Sequence, residues 1–275
     1  MLKKVLRYDF KSVYKYWWIG AVVSFALAIV AGFAVAMMES GRILPAAVEV
    51  IGILAVVVAF LANFAFVFMA DILVLIRYYK NFYSDEGYLT FTLPVKRGQL
   101  LNSKLILGII TFISSVGVVG FNLIISLLIG FNKSIVFKTL FADIKDAYLE
   151  IYEEVGPCLF PIIGEVLLLF ILLSFASMIF TFICINIGAT ISKKAKVLSA
   201  IGVYVGANSV VTFFLQMFSI FVVGALSNWL DNFDGTELSV IVTLMLLVVV
   251  FFVALLCALM YALHYTLLDK KLNMN

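Results

Sequence analysis

Hydrophobic residues make up 65% of this 275-residue chain, charged residues make up only 13%, and the mean hydropathy is +1.18. A composition this apolar excludes an ordinary soluble domain and predicts an integral membrane protein. The formal net charge of +3 comes with no aromatic-interleaved basic groove, so we expect no nucleic-acid partner.

Six apolar segments are long enough to cross a bilayer as helices, since a spanning helix needs about 20 mostly apolar residues. None of them alternates apolar and polar residues as a barrel strand would. We therefore predict an all-α fold that forms one transmembrane domain over residues 1–275, with both termini on the same side. The predicted spans are 17–38, 50–76, 105–131, 158–192, 197–226 and 238–268.

The basic residues are distributed unevenly between the two sides of the membrane. Fifteen of the 19 lysines and arginines fall on the side that holds both termini, together with the loops around 77–104 and 193–196. Basic residues near spans are retained on the cytoplasmic side. The distribution therefore predicts cytoplasmic termini and an outer location for residues 133–157.

The N-terminal lead, "MLKKVLRYDFKSVYKYWW", places apolar residues at helical spacing with basic residues between them. This pattern is typical of an amphipathic helix that lies in the membrane–water interface. We predict such an interfacial helix, turning into the first span near Trp17; a charged lead that only sets topology is the alternative. The apolar positions are Val5, Leu6, Phe10, Val13, Tyr14 and Trp17.

A charged, turn-rich segment, "NFYSDEGYLTFTLPVKRGQLLNSK" at 81–104, separates the second and third spans. Ser84 can cap a helix whose first turn holds the two acids that follow it. The alternation of Leu, Thr and Phe from 89 to 93 is strand-like instead, and Pro94 stops whatever precedes it. The segment is too short to span and is suited to docking in a groove of another protein; an interfacial loop without a partner is the alternative.

The segment between the third and fourth spans has apolar residues at spacings of three and four, with acids on its other faces. The pattern predicts an amphipathic outer helix of about five turns at 134–155. It would form a lid or rim over an exit path, or rest on the outer leaflet and the neighbouring spans.

Ionisable groups inside a membrane are costly, so each is a candidate for function. Glu165 follows a start of the fourth span that is rich in proline and glycine. If that helix begins near Ile162, Glu165 lies in its first turn at the outer interface. Asp71 and His264 lie near the inner face, where we expect interhelical hydrogen bonds or ion pairs. All three are candidates for the substrate path or for such interhelical contacts.

The sequence contains no recognisable catalytic motif. Cys158, Cys184 and Cys257 lack metal-ligand spacing and are expected to be packing residues, so we predict no metal site. Phosphate-binding loops, dinucleotide-binding glycine motifs and hydrolase motifs are also absent from the sequence. We therefore expect a chain that is not an enzyme and has no cofactor of its own. Gly202 and Gly206 form a GxxxG pattern that permits close helix approach.

The run "SDEGYLTFTLPVKRGQLLNSKLI" at 84–106, between the second and third of six spans, resembles the corresponding region of bacterial ABC transporter permeases of the type-2 exporter superfamily. The basic amphipathic lead and the chain length extend the resemblance. It implies a coupling helix that contacts a separately encoded cytoplasmic ATPase, which binds the ATP and Mg. The positions to which it assigns this coupling role are Asp85, Glu86, Gly87, Tyr88, Leu93 and Pro94.

The resemblance also implies an export permease in the bacterial cytoplasmic membrane. The permease is expected to work as a dimer with a second copy of the chain, together with two cytoplasmic ATPases. Members of similar style in Gram-positive bacteria export antimicrobial or amphipathic peptides, drugs or lipid-linked products, and peptide is our leading expectation. The family often places its outer helices between spans five and six, whereas here the bulk lies between spans three and four. An ion-coupled carrier and a non-transporting sensor or assembly protein are the alternatives.

The orientation can be tested by labelling single cysteines in a background that lacks the three native ones. Cysteines at Ser134 and Asp234 are expected to react with an impermeant thiol reagent added outside intact cells, whereas a cysteine at Ser84 is not. Labelling at Ser84 would reverse the predicted topology.

Overall fold

The computed structural model describes residues 2–39, 45–84, 87, 97–131, 133–192, 195–230 and 235–272. Within these ranges all regular secondary structure is helical, which confirms the predicted all-α class. The elements are α1 (Leu2–Glu39), α2 (Ala46–Tyr83), α3 (Arg97–Gly130), α4 (Lys133–Val155), a 3-10 turn (Gly156–Cys158), α5 (Leu159–Ile191), α6 (Lys196–Leu230) and α7 (Gly235–Leu272).

Six of these helices, all except α4, are long and apolar enough to cross a membrane, and each matches one predicted span, although α3 and α5 end one residue inside the predicted bounds. The chain is therefore a multi-pass membrane protein. The helices extend beyond the predicted spans, most clearly in α1 and α2, which have 38 residues each. A helix of that length is about 57 Å long, against about 30 Å of hydrocarbon, so both continue outside the apolar layer.

The chain divides into two compact units, Met1–Asp146 and Ala147–Asn275. A single permease domain over 1–275 stays a prediction. In unit 1, α1 packs against both α2 and α3, and α2 also contacts α3. Trp17, Ala21, Phe66 and Ala70 form a buried apolar cluster between α1 and α2. All three helices of unit 1 therefore contact one another, and the contacts of α1 are the most extensive.

The lead and the first span form one continuous helix, so the predicted turn near Trp17 is absent. No proline interrupts residues 2–39. The apolar side of the lead packs inside unit 1: Val13 and Trp17 are 2% and 4% exposed. The predicted helical conformation of the lead is confirmed, and Trp17 packs against Phe66 of α2 and Ser115 of α3.

Helix α4 occupies the region in which an amphipathic helix was predicted at 134–155. Tyr148 and Tyr152 stack on one another, with ring centroids 5.9 Å apart, and Tyr148 also contacts Phe160 of α5. Gly156 links α4 to the 3-10 turn with a φ of +66°, a backbone conformation that favours glycine. The acids of α4 whose side chains are described are all exposed: Asp143, Asp146, Glu150 and Glu153.

In unit 2, α5 packs against both α6 and α7, and the 3-10 turn adds a contact with α7. The approach of α5 to α6 is close at Gly188, where a Cβ atom would lie 2.3 Å from the Cα of Ala200. The hydroxyl of Ser199 donates a hydrogen bond to the carbonyl of Gly188 at the same point. Glycine is required here because no side chain fits between the two backbones.

The other glycine pair of α6 has a different environment. Gly202 and Gly206 are exposed, and a Cβ at either position would meet no described atom within 4 Å. Their GxxxG pattern therefore does not mediate a described contact within the chain, and its use in a dimer stays a prediction.

Substitution of Gly188 tests the close crossing of α5 and α6. Gly188→Ala is expected to cost about 1–3 kcal/mol through overpacking, measured as a lower unfolding midpoint in detergent. Gly202→Ala is the matched control, because it adds the same methyl group to open space in the interior of α6 and is expected to be neutral or stabilising by up to about 1 kcal/mol. Equal responses of the two variants would contradict the crossing.

Candidate functional site

The predicted coupling segment is described at 81–84, at Gly87 and from Arg97 onward, where α3 begins. Five of its assigned positions lie outside the described residues, namely Asp85, Glu86, Tyr88, Leu93 and Pro94. The remaining one, Gly87, is buried, and its amide donates a 2.8 Å hydrogen bond to the carbonyl of Ser84. A Cβ on Gly87 would lie 3.2 Å from the carbonyl oxygen of Phe82. The chain therefore folds tightly against the end of α2 as it enters the segment.

A buried carboxylate connects the three helices of unit 1 beside this segment. Asp9 of α1 is 1% exposed. Its Oδ1 accepts hydrogen bonds from Nε of Arg77 at 3.1 Å and from Nδ2 of Asn81 at 3.3 Å, both on α2. Its Oδ2 accepts a hydrogen bond from Ser103 at 3.4 Å and forms an ion pair with Lys104, both on α3. We call these five residues the Asp9 cluster.

The position of the Asp9 cluster relates it to the predicted coupling segment. Arg77 and Asn81 lie in the last two turns of α2, and Ser103 and Lys104 lie in the second turn of α3. The residues between these helices, 84–96, are the core of the predicted coupling segment. Asp9 therefore connects α1 to α2, which leads into that segment, and to α3, which follows it.

Burying these charges is less costly because both cations pair with the Asp9 carboxylate. Arg77 is 9% exposed and Lys104 is fully buried, and an isolated buried ion would cost several kcal/mol. The guanidinium carbon of Arg77 also lies 5.0 Å from the ring centroid of Tyr8, which adds a cation–π contact. Removing the Asp9 carboxylate would take away the acid that both cations share.

Two further layers of polar contacts follow along the same helices. In the first, Nε1 of Trp17 donates a 2.8 Å hydrogen bond to Ser115. In the second, Nδ2 of Asn122 donates to Oδ1 of Asn63 at 2.8 Å and to the hydroxyl of Ser24 at 3.1 Å. We call these two layers and the Asp9 cluster the polar seam of unit 1.

The layers of the polar seam are well separated in depth. On α1, Trp17 and Ser24 follow Asp9 by about 12 and 22 Å, at 1.5 Å per residue. Asn63 and Asn122 are 5% and 0% exposed. Charges therefore occupy one end of the seam, and neutral side chains occupy its deeper part, as the cost of burying charge requires.

Sequence analysis assigned no role to Asp9, Asn63 or Asn122. A signal for Asp9 was present, since it is the only acid before Glu39 and lies in a strongly basic lead. The two asparagines are uncharged, so the cost of burying an ionisable group does not single them out. In an apolar span an amide also needs a partner, which makes it a second useful signal.

The three predicted ionisable candidates do not converge on one site. Asp71 of unit 1 is half-buried, and Arg77, six residues away, pairs with Asp9. His264 of unit 2 is 1% exposed, and its ring lies 6.2 Å from that of Phe182 on α5. Glu165 precedes Phe182 by 17 positions on the same helix, or about 26 Å. Glu165 and His264 are therefore far apart within unit 2.

The expected environment of Glu165 needs a correction. Helix α5 begins at Leu159, not near Ile162, so Glu165 lies in its second turn. Pro161 is tolerated because it occupies the first turn, whose amides need no intrahelical acceptor. Oε2 of Glu165 is buried and has no hydrogen-bond partner among the described residues. The helix dipole contributes less at this position than in the first turn.

No group of three potential metal ligands occurs in the described part of the chain. Cys158, Cys184 and Cys257 are free thiols, and Cys184 and Cys257 are buried. The thiol of Cys257 faces the carbonyl of Leu172 at 3.6 Å. These contacts agree with a packing role for the cysteines.

Comparison of the chain with models of known protein families, with curated proteins and with solved structures finds no match. The function must therefore be inferred from the sequence and from the geometry of the chain itself.

Replacement of Asp9 tests the importance of the Asp9 cluster. Asp9→Asn is expected to destabilise the protein by about 3–5 kcal/mol, because it removes one partner from a buried ion network. The measurement is the unfolding midpoint of the purified protein in detergent. Asp71→Asn is the control, since it neutralises an acid of α2 that no described ion pair involves, and we expect a change below about 1 kcal/mol.

A second substitution separates the loss of the ion network from a general defect. Adding Lys104→Met to Asp9→Asn is expected to recover part of the stability, because it removes one of the two buried cations that pair with Asp9. The importance of the cluster is refuted if Asp9→Asn is no more harmful than Asp71→Asn.

Proposed function

We propose that the chain is the membrane-spanning permease subunit of an ATP-driven ABC exporter in a bacterial cytoplasmic membrane. The observation that carries the proposal is the Asp9 cluster, which fastens α1 to both helices flanking residues 84–96. The sequence of this segment resembles the coupling region of type-2 export permeases, and the cluster explains how a force applied there would reach three helices together.

The proposed mechanism is mechanical. A cytoplasmic ATPase would receive the segment at 84–96 and displace it during its nucleotide cycle. Because α2 and α3 enter and leave the segment, they would move with it. The shared carboxylate of Asp9 would carry α1 along, and the hydrogen bonds of Trp17 and Asn122 would resist sliding of the helices past one another.

In this proposal, hydrolysis occurs in a partner chain. The sequence contains no nucleotide-binding motif, so ATP and Mg would be bound by the ATPase. Two permease copies would form the translocation pathway, and both termini would be cytoplasmic. Helix α4 would then lie on the outer side, with exposed acids and the Tyr148–Tyr152 pair available to a rim or lid.

The proposed substrate is amphipathic, with peptides favoured and lipids or drugs as the other classes. A pathway in such an apolar chain offers few charges, which suits a cargo with apolar surface of its own. Glu165 is the proposed acid of the path, because its Oε2 is buried without a described partner. Asp71 and His264 are proposed to serve interhelical hydrogen bonds, which an asparagine at position 71 would largely retain.

Two other functions remain as alternatives. An ion-coupled carrier would need titratable groups that follow one another through the membrane. The deep layers of the polar seam are neutral. Glu165 lies about 26 Å along α5 from Phe182, whose ring is next to that of His264. This separation favours the exporter. A sensor or assembly protein would need no ATPase, and co-purification in mild detergent distinguishes it from an exporter.

The proposal is tested by reversing the charges of the coupling segment. Asp85→Lys combined with Glu86→Lys is expected to abolish co-purification of the ATPase or substrate-stimulated ATP hydrolysis, because it breaks a partly buried ion pair at the proposed interface, at a cost of several kcal/mol. Tyr88→Ala with Leu93→Ala is expected to act in the same direction through lost apolar contact area.

The matched control changes two charges on the same side but outside the segment, by Lys270→Glu with Lys271→Glu. This variant is expected to retain ATPase association, since both charges lie outside the proposed interface. Wild-type association and transport in the Asp85/Glu86 variant would refute the coupling role.

A further inference from the structure

One exposed stripe of α1 is basic near the N-terminus and apolar farther along the helix. Residues spaced three or four apart, Lys4, Tyr8, Lys11, Lys15, Trp18 and Val22, are all exposed, and the stripe continues to Met37. We call it the outer face of α1. The opposite side of the helix carries the buried residues of the polar seam. The outer face is therefore the side that unit 1 presents to its surroundings.

The composition of the outer face marks the level of the membrane. From Val22 to Met37 it contains only apolar residues, and Trp18, 59% exposed, precedes them. Exposed tryptophans are enriched where the hydrocarbon meets the headgroups. The distance from Trp18 to Met37 is about 29 Å along the helix, which matches the hydrocarbon thickness of about 30 Å. Trp18 therefore lies at the boundary.

This level places Lys15 within the lipid headgroup layer and Lys11 a few ångströms outside it, from where its long side chain can reach the phosphates. Lys15 and Lys11 lie about 5 and 10 Å beyond Trp18 along the axis, and the headgroup layer is about 5–8 Å thick. Neither lysine forms a salt bridge with an acid in the described part of the chain. Lys4 lies about 21 Å beyond Trp18, more than two Debye lengths from the boundary at physiological salt.

We propose that Lys11, Lys15 and Trp18 form a binding surface for anionic phospholipid headgroups. The two ammonium groups would pair with lipid phosphates, while the indole ring of Trp18 lies at the base of the headgroup layer. A membrane surface is favoured over a soluble anion because the same face continues without interruption into the apolar stripe. The proposal is independent of the transport function.

The test uses the full-length protein in vesicles that contain brominated lipids, which quench nearby tryptophan fluorescence. Trp229→Phe removes one of the three tryptophans, and Trp17 is only 4% exposed, so quenching reports mainly on Trp18. Competition between brominated phosphatidylglycerol and phosphatidylcholine gives the selectivity. In this background we expect severalfold preference for phosphatidylglycerol at physiological salt, decreasing as more salt is added.

Two double variants locate the effect. Lys11→Gln with Lys15→Gln is expected to reduce the preference to near one, since each basic residue at the surface contributes about fivefold in affinity. Lys3→Gln with Lys4→Gln removes the same charge from the same helix, farther from the boundary, and is expected to keep most of the preference. Lys11→Arg with Lys15→Arg is expected to retain it fully and shows that the helix tolerates substitution.

Three results would overturn the proposal. The first is an unchanged preference in the Lys11/Lys15 variant. The second is an equal loss in the Lys3/Lys4 variant, which would indicate a diffuse charge effect without a defined surface. The third is loss of the preference when soluble glycerol phosphate is added at constant ionic strength, which would identify a site for free anions.

Discussion

The contact on which unit 1 depends is the burial of the Asp9 carboxylate between Arg77 and Lys104. Each of these charges would be unfavourable in isolation at this depth of burial, and the three become acceptable only as a group. The three charged residues lie on three different helices, so pairing them requires those helices to assemble. Helices α1, α2 and α3 must meet at this level with little freedom of register.

This requirement matters because apolar packing alone specifies helix register poorly in a membrane. Lipid chains are as apolar as leucine, so burying a leucine between helices gains little relative to leaving it in lipid. Polar side chains behave differently, since each must find a partner. Within unit 1, the hydrogen bonds of Trp17 with Ser115 and of Asn63 with Asn122 fix the helix register at deeper levels, as the Asp9 cluster does at its own level.

The six spans could be predicted from composition and length, because hydrophobic thickness imposes about 20 apolar residues on every crossing helix. Helix ends were less predictable. The continuation of α1 to Leu2 was missed because an amphipathic lead fits a lipid interface and a protein interior equally well, and only the partners of Val13 and Trp17 decide between them. Similarly, Pro161 suggested a later start of α5 than Leu159, although the first turn accommodates proline.

The candidate site was harder to predict for a different reason. Asp9 forms its ion pairs with Arg77 and Lys104, which are separated from it by about 70 and 95 positions in the sequence. No local sequence pattern encodes such a pairing. Exposed apolar residues of α6 and α7 do not indicate which helix they would pack against, because contact with lipid is as favourable for them as contact with protein. In a chain that is 65% hydrophobic, the few buried polar residues therefore determine which helices associate, and they are the places where a substitution changes the assembly as well as its stability.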